Sequence, residues 1–268
     1  SFFCKYQNFD VLCLIELNMK EDIDMYESAF EMHGVKYLSP SQINLFISNP
    51  AKWLVNVAGY KDKIYKPSFT YGNAVEIGIT KSVTEGISIK ESLDVANEEF
   101  SRIEQEAKQS KSEYDIEGAT KKQAHLKRTL ERVIPVYKDL GKPIATQKKV
   151  EHHLDCIPIP LFGILDLEYD HCVRDLKTTA MKPKMNSSYS RQLTIYHLAT
   201  EKKPVIDYVY TTTKISELIS FDVVDINMHK KFIENTVTKM MFMLSLSDDM
   251  REVCQLSNLT PDLSNDNW

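Results

Sequence analysis

An aspartate stands in the middle of the apolar run Gly163-Ile-Leu-Asp166-Leu-Glu168-Tyr169, and Asp175-Leu-Lys177 begins nine residues after it. Burying an unpaired charge is expensive, so folding normally excludes charges from such runs. A chain that keeps them has to bring them together or give them a counter-ion. Side chains alternate along a strand, so Asp175 and Lys177 share one face while Arg174 and Leu176 take the other. By the same rule Asp166 shares its face with Glu168, and Leu165 and Leu167 point away. The gap from Tyr169 to His171 is short enough for a hairpin, which would set Asp166 near Asp175 at one end of the strand pair.

The elements on either side change character along the chain. Residues 1–36 are acidic and weakly patterned, an N-terminal arm or extension carrying Glu21, Asp22, Asp24, Glu27 and Glu31. Ser39-Pro40-Ser41-Gln42 has the signature of a helix start, with Ser39 as N-cap, Pro40 at the first position and Gln42 closing a capping box. Asn49-Pro50 should kink or split that helix. A second helix is expected from about Thr70 to Val83, and long charged helices over 89–110 and 117–140. Alternation and β-branched content then predict strands at Lys149–Cys156, Leu161–Tyr169, Cys172–Thr178, Pro204–Thr213 and Leu218–Val224. A helix over Ser187–Thr200 separates the third strand from the fourth, with one of its leading serines as N-cap. A Met-rich helix over 228–246 is followed by a polar tail, 248–268. The expected layout is one domain over 37–247, with a helical section at 37–145 and a sheet-bearing core at 146–247.

Composition excludes more than it identifies. Net charge is −5, so no global basic excess marks a nucleic-acid binder; local clusters such as Lys121-Lys122, Lys127-Arg128, Lys148-Lys149, Lys182 and Lys184 remain. The five cysteines show no C-x-x-C spacing, which argues against a zinc site or an iron–sulfur cluster and for a reducing, cytoplasm-like compartment. No apolar run approaches the ~18 residues of a membrane span, and Phe9–Leu17 is too short and lacks a basic flank.

Two carboxylates and an ammonium at one strand pair suit a hard divalent cation, Mg²⁺ or Mn²⁺, since both prefer oxygen ligands. Such a cation can polarise a phosphoryl oxygen and acidify water, and Lys177 can orient that water or offset charge on phosphorus. A lone D-x-K match says little. Here it has a context: Gly163-Ile-Leu-Asp166, then Asp175-Leu-Lys177, then Gln192-Leu-Thr-Ile-Tyr196. Tyr37–Phe46 with Asn49-Pro-Ala-Lys-Trp53, and Tyr71-Gly72-Asn-Ala-Val-Glu76, precede them.

In order and spacing this set resembles the PD-(D/E)XK nuclease superfamily, in its RecB-like, Cas4-like and phage lambda-exonuclease-type branch, over roughly residues 37–200. The resemblance implies an α/β fold, with a restriction-endonuclease-like core of a small mixed β-sheet flanked by helices and a helical N-terminal section walling the substrate channel. It implies that Asp166, Asp175, the Leu176 carbonyl and Glu76 ligate one or two Mg²⁺ or Mn²⁺ ions, and that Lys177 is the catalytic lysine. Gln192 and Tyr196, four apart on one helix face, would contact DNA, and Arg191 could meet a phosphate. The implied activity is a metal-dependent DNA exonuclease of phage or mobile-element recombination, repair or degradation, acting on DNA with an end. A recombinase or single-strand-binding protein would be a partner, and no membrane is involved. A structure-specific endonuclease, or a catalytically decayed nucleic-acid-binding protein on the same fold, are the alternatives. Two departures stand out: Asn49 replaces the cysteine often found before proline, and the cysteine trio of cluster-bearing members is missing.

Other polar groups have weaker claims. Glu151 and His153 would share a strand face but lack further ligands. Tyr65, Tyr71, Trp53 and Phe69 could stack on bases, although Trp53 and Phe69 are read as core.

Overall fold

The computed structural model describes residues 29–60, 65–110 and 114–259. In chain order they form α1 (Pro40–Ser48), α2 (Pro50–Val57), α3 (Pro67–Glu85), α4 (Ile89–Gln109), α5 (Ile116–Gln123) and α6 (Leu126–Asp139), then β1 (Ala145–His152), β2 (Leu161–Glu168) and β3 (Cys172–Thr179). After these come α7 (Ser187–Thr200), β4 (Lys203–Thr211), β5 (Ser216–Asp222), α8 (Ile226–Leu244) and α9 (Met250–Leu256). The described residues form two compact units, one drawn from within 1–61, 153–161 and 233–268, the other from within 62–152 and 162–232.

The first unit begins, within the described residues, with a helical turn at 29–32 whose Ala29 and Phe30 are buried. The acidic positions 21–27 and the apolar stretch Phe9–Leu17 lie outside the described residues. Ser39 and Gln42 form the expected capping box: the Ser39 N–H donates to Gln42 Oε1 at 2.7 Å, and the Gln42 N–H returns a bond to Ser39 Oγ at 3.3 Å. Asn49 ends α1 and caps α2 through its side chain, which accepts from the Lys52 N–H at 2.9 Å. Pro50 has no N–H to continue the first ladder, so the kink becomes a full break. Ile43, Phe46, Trp53 and Leu54 are buried, with the Phe46 and Trp53 rings edge to face at 5.2 Å. The Leu38 N–H donates to the Pro160 carbonyl at 3.0 Å. Within the segment read as a polar tail, α9 forms and buries Val253 and Cys254, whose apolar side chains give even a short helix something to pack.

The second unit stacks helices on a five-stranded sheet of order β1-β2-β3-β4-β5. β2–β3 and β4–β5 pair antiparallel, and β3–β4 pair parallel, with α7 as the crossover that parallel neighbours require. Packed against α4, α5, α6 and β3, helix α3 is the hub of the helical layer. Tyr71, Val75 and Ile79 from α3 share a core with Phe100, Leu130, Val133 and Ile134, and with Leu167, Leu176, Val205 and Val209 from the sheet.

Residues 117–140, expected as one helix, are two, parted at Ala124–His125. At the start of α6 the Arg128 guanidinium donates to the Thr212 and Thr213 carbonyls and to Ser216 Oγ, fastening the helix to the β4–β5 turn. β1 lies four residues upstream of its expected start. Only Val150 of its eight residues is buried, so no alternation marks its ends, and Leu154, expected as strand, is buried in the first unit.

Beneath the sheet a charge is fully neutralised. Arg174 on β3 donates from Nη1 to both oxygens of Asp207 on β4, at 2.8 and 2.9 Å, and Asp207 also accepts from Tyr137 Oη at 2.9 Å and Ser220 Oγ at 2.6 Å. Asp207 is completely buried. Removing one partner of such a pair strands the other, which typically costs about 3–5 kcal/mol. Asp207→Ala should lose that much in urea denaturation, and Tyr137→Phe, which deletes one hydrogen bond, about 1 kcal/mol.

Candidate active site

β2 and β3 carry the two aspartates into register. Leu167 stands opposite Arg174 and Glu168 opposite Val173, so the next step along brings Asp166 level with Asp175. Asp166 Oδ2 accepts the Leu176 backbone N–H at 2.7 Å. Asp175 is almost wholly buried; its Oδ1 accepts from Gln192 Nε2 at 2.9 Å. Its Oδ2 lies 2.6 Å from the Lys177 ammonium. Strand alternation predicted that Asp175 and Lys177 share a face, and they touch.

α7 braces this pair. Asn186, rather than one of the serines, caps it, accepting from the Tyr189 N–H at 2.9 Å. Gln192 Nε2 bonds both Asp175 and Tyr196 Oη, the latter at 2.8 Å, and Tyr196 Oη donates to the Ile164 carbonyl at 2.8 Å. The Tyr196 ring fills the space above Gly163, where a Cβ would come within 2.5 Å of Cε1. The glycine three residues ahead of Asp166 therefore admits the tyrosine of the Gln192 helix.

Glu76 arrives from α3, which runs close to β3 at Gly72, where a Cβ would lie 3.3 Å from Thr178 Oγ1. One of its oxygens, Oε1, accepts from Gln147 Nε2 on β1 at 2.5 Å. Neither Gln147 nor Tyr189, whose ring centroid lies 5.8 Å from the Lys177 ammonium, was singled out by sequence. Gln147 sits in a polar strand without alternation, and an aromatic in a first helical turn is no signal by itself.

The electrostatics are those of crowded anions. Burial pushes the Asp166 carboxyl well above the usual carboxylate range, and repulsion from Asp175 and Glu76 adds to it. Burial raises Glu76, and Asp175 adds, against Lys177. Asp175 is raised by burial despite its lysine. Burial works against the Lys177 charge, yet Asp175 and Asp166 hold its ammonium above the ordinary lysine range. Three carboxylates face one ammonium, so a divalent cation would balance them, and oxygen donors suit Mg²⁺ or Mn²⁺. Among the described residues no three His, Cys, Asp or Glu side chains converge on one point; backbone and amide donors hold these carboxylates instead.

The remaining candidates fall elsewhere. Glu168 is taken by Lys148 at 2.8 Å and Lys202 at 2.7 Å. Burial disfavours its charge, but the two lysines win and lower its pKa. Arg191 is buried over the Phe232 ring, 5.2 Å from its centroid, and donates to Ser188 Oγ. Glu151 and His153 are both exposed. Trp53 and Tyr71 are core, as is usual for large aromatics, but Phe69 is 59% exposed, contrary to its reading as core. It lies near the start of α3, with Lys66 5.9 Å above its ring. Cys156, Cys172 and Cys254 are free thiols, and no described helix is long and apolar enough to cross a membrane.

Comparison with known proteins bears on the same region. A family model described as the PD-(D/E)XK nuclease superfamily matches residues 37–248, more than half of the chain. Among curated proteins no sequence matches significantly. Of solved structures, one from Eubacterium rectale, whose name carries a provisional exonuclease assignment, superposes with a TM-score of 0.55 at 11% identity, covering 86% of each chain. A second, SSO0001, gives a TM-score of 0.31 at 14% identity over 71% of this chain and 85% of that one. The first supports the fold; the second is too distant to add to it.

Two outcomes are expected. Gly163→Ala should displace Tyr196 and cost about 1–3 kcal/mol in urea denaturation, as overpacking does. A double-mutant cycle with Tyr196→Ala should recover most of that loss. In metal-free buffer the raised Asp166 pKa means that the folded chain binds a proton more tightly than the unfolded chain. Stability is therefore gained as pH falls through the window between the raised value and the ordinary carboxylate range, and lost as pH rises through it. Asp166→Asn should accordingly melt about 2–4 °C higher than the parent at neutral pH without metal, the shift that ~1 kcal/mol produces in a chain of this size. Added Mn²⁺ should reverse that order.

Proposed function

The chain belongs to the PD-(D/E)XK nuclease superfamily, and on that premise we propose that it is a divalent-cation-dependent deoxyribonuclease that degrades DNA from an end. The carrying observation is the Asp175–Lys177 contact on β3, with Asp166 at the neighbouring position of β2 and Gln192–Tyr196 bracing it from α7. Asp166, Asp175, Glu76 and the Leu176 carbonyl would hold Mg²⁺ or Mn²⁺, one or two ions, which would polarise a phosphoryl oxygen and acidify water.

The chain's own residues supply the rest. Lys177, held by Asp175, presents a fixed positive charge where negative charge builds on the phosphate, and such preorganised charge needs no rearrangement during reaction. Gln192 fixes Asp175 through one oxygen and leaves the other facing Lys177. Tyr196, tied to the Ile164 carbonyl, locks the Gln192 amide in turn. Hydrolysis is an in-line displacement: a water oxygen bonds to phosphorus as the ester oxygen leaves, with no covalent enzyme intermediate. Action from an end is supported by the ordered motifs from Glu76 to Tyr196, which resemble the exonuclease branch, and by the name of the Eubacterium rectale protein, which shares the fold.

Lys177→Ala should lower Mg²⁺- or Mn²⁺-dependent DNA degradation by about 10²–10³-fold, as loss of one charge-stabilising group does, and Asp166→Ala should abolish it, both with unchanged circular dichroism. Full activity in either variant overturns the nuclease reading. Linear DNA labelled at either end should be shortened while circular single-stranded DNA survives; cleavage of the circle would instead make the enzyme an endonuclease.

A further inference from the structure

Four residues other than glycine have positive φ among the described residues: Gln147, Glu201, Asp225 and Asn258. Three have an ordinary reason. Glu201 caps the end of α7, Asp225 precedes α8, and Asn258 follows the cap of α9. Gln147, at φ +48°, lies inside a strand. The left-handed region costs a side-chain-bearing residue roughly 1–2 kcal/mol, and such strain persists only where its surroundings impose it. Glycine or asparagine would fit there more easily.

What the conformation does is visible in the next two contacts. Gln147 Nε2 donates to Glu76 Oε1 at 2.5 Å, and the following residue, Lys148, reaches Glu168 at 2.8 Å. Successive side chains of β1 thus attend to two different carboxylates, one in the candidate site and one outside it. Gln147 is otherwise exposed, so packing does not account for it. Glu76 stands on a helix and has to reach a cluster built on strands; an amide that fixes one of its oxygens leaves the other to be presented to a cation.

We infer that Gln147 is a positioning residue, which holds Glu76 toward the cation and so raises the affinity of the site. This rests on the nuclease reading above.

The test separates positioning from a structural role by comparing Gln147→Gly with Gln147→Ala in the full chain, without DNA. Calorimetric titration with Mn²⁺ should show affinity weakened about tenfold in both, the loss usual when a partner of a metal ligand is removed. Thermal melting in metal-free buffer should place the glycine variant at or up to about 3 °C above the parent, because glycine relieves the strain. The alanine variant keeps the strain and should melt below the glycine variant. Weaker metal binding together with equal or higher stability is what a merely structural residue would not give. Affinities within about twofold of the parent, tighter binding, or a loss confined to the less stable variant would each overturn the inference. A parent that binds Mn²⁺ and cuts DNA while the variants bind like it sinks the inference alone; a parent that binds no Mn²⁺ sinks the nuclease reading with it.

Discussion

The Lys177 ammonium rests 2.6 Å from an Asp175 that is almost wholly buried, and the candidate site is arranged around that contact. Without the lysine, the half-buried carboxylate at Asp166 would sit beside an uncompensated buried charge, which is among the costliest things a fold can hold. With it, the deficit shrinks to one that a divalent cation would fill. β3 can carry this load because its opposite face is also neutral: Arg174, one residue earlier, is matched to Asp207 on β4. Alternation along one strand thus sends an ion pair to each face, one structural and one in the site.

The helices translate that strand chemistry into a fixed geometry. α7 contributes Gln192 and Tyr196 one turn apart, and the only side chain small enough to admit the tyrosine ring is the glycine that stands opposite it. α3 contributes Glu76 because its Gly72 lets the helix approach β3 closely. Both close approaches use missing side chains, so the glycines of the motifs are steric requirements of the packing.

Much of this was legible in the sequence. Asp175 and Lys177 share a face because they are two apart on a strand, and Gln192 and Tyr196 because they are four apart on a helix. Both statements need only local geometry, and both hold. The α7 boundaries, Ser187–Thr200, and the Ser39 capping box were readable for the same reason. Where the pattern was flat, the reading drifted: only Val150 of β1 is buried, so no periodicity fixes its ends. The split at Ala124–His125 and the exposure of Phe69 depend on neighbours far along the chain.

The sequence by itself determined which charges exist, which of them share a local face, and that the chain holds the ordered motifs of a nuclease family. Strand and helix periodicities are properties of consecutive residues, so this much needs no knowledge of the rest. Only the tertiary structure decided the partners. It gave Glu168 to two lysines, packed Arg191 on Phe232, and put the strained Gln147 against Glu76, 71 positions away. Those choices come from closing the chain on itself, where burial makes each charge take whichever counter-charge or donor the fold brings near.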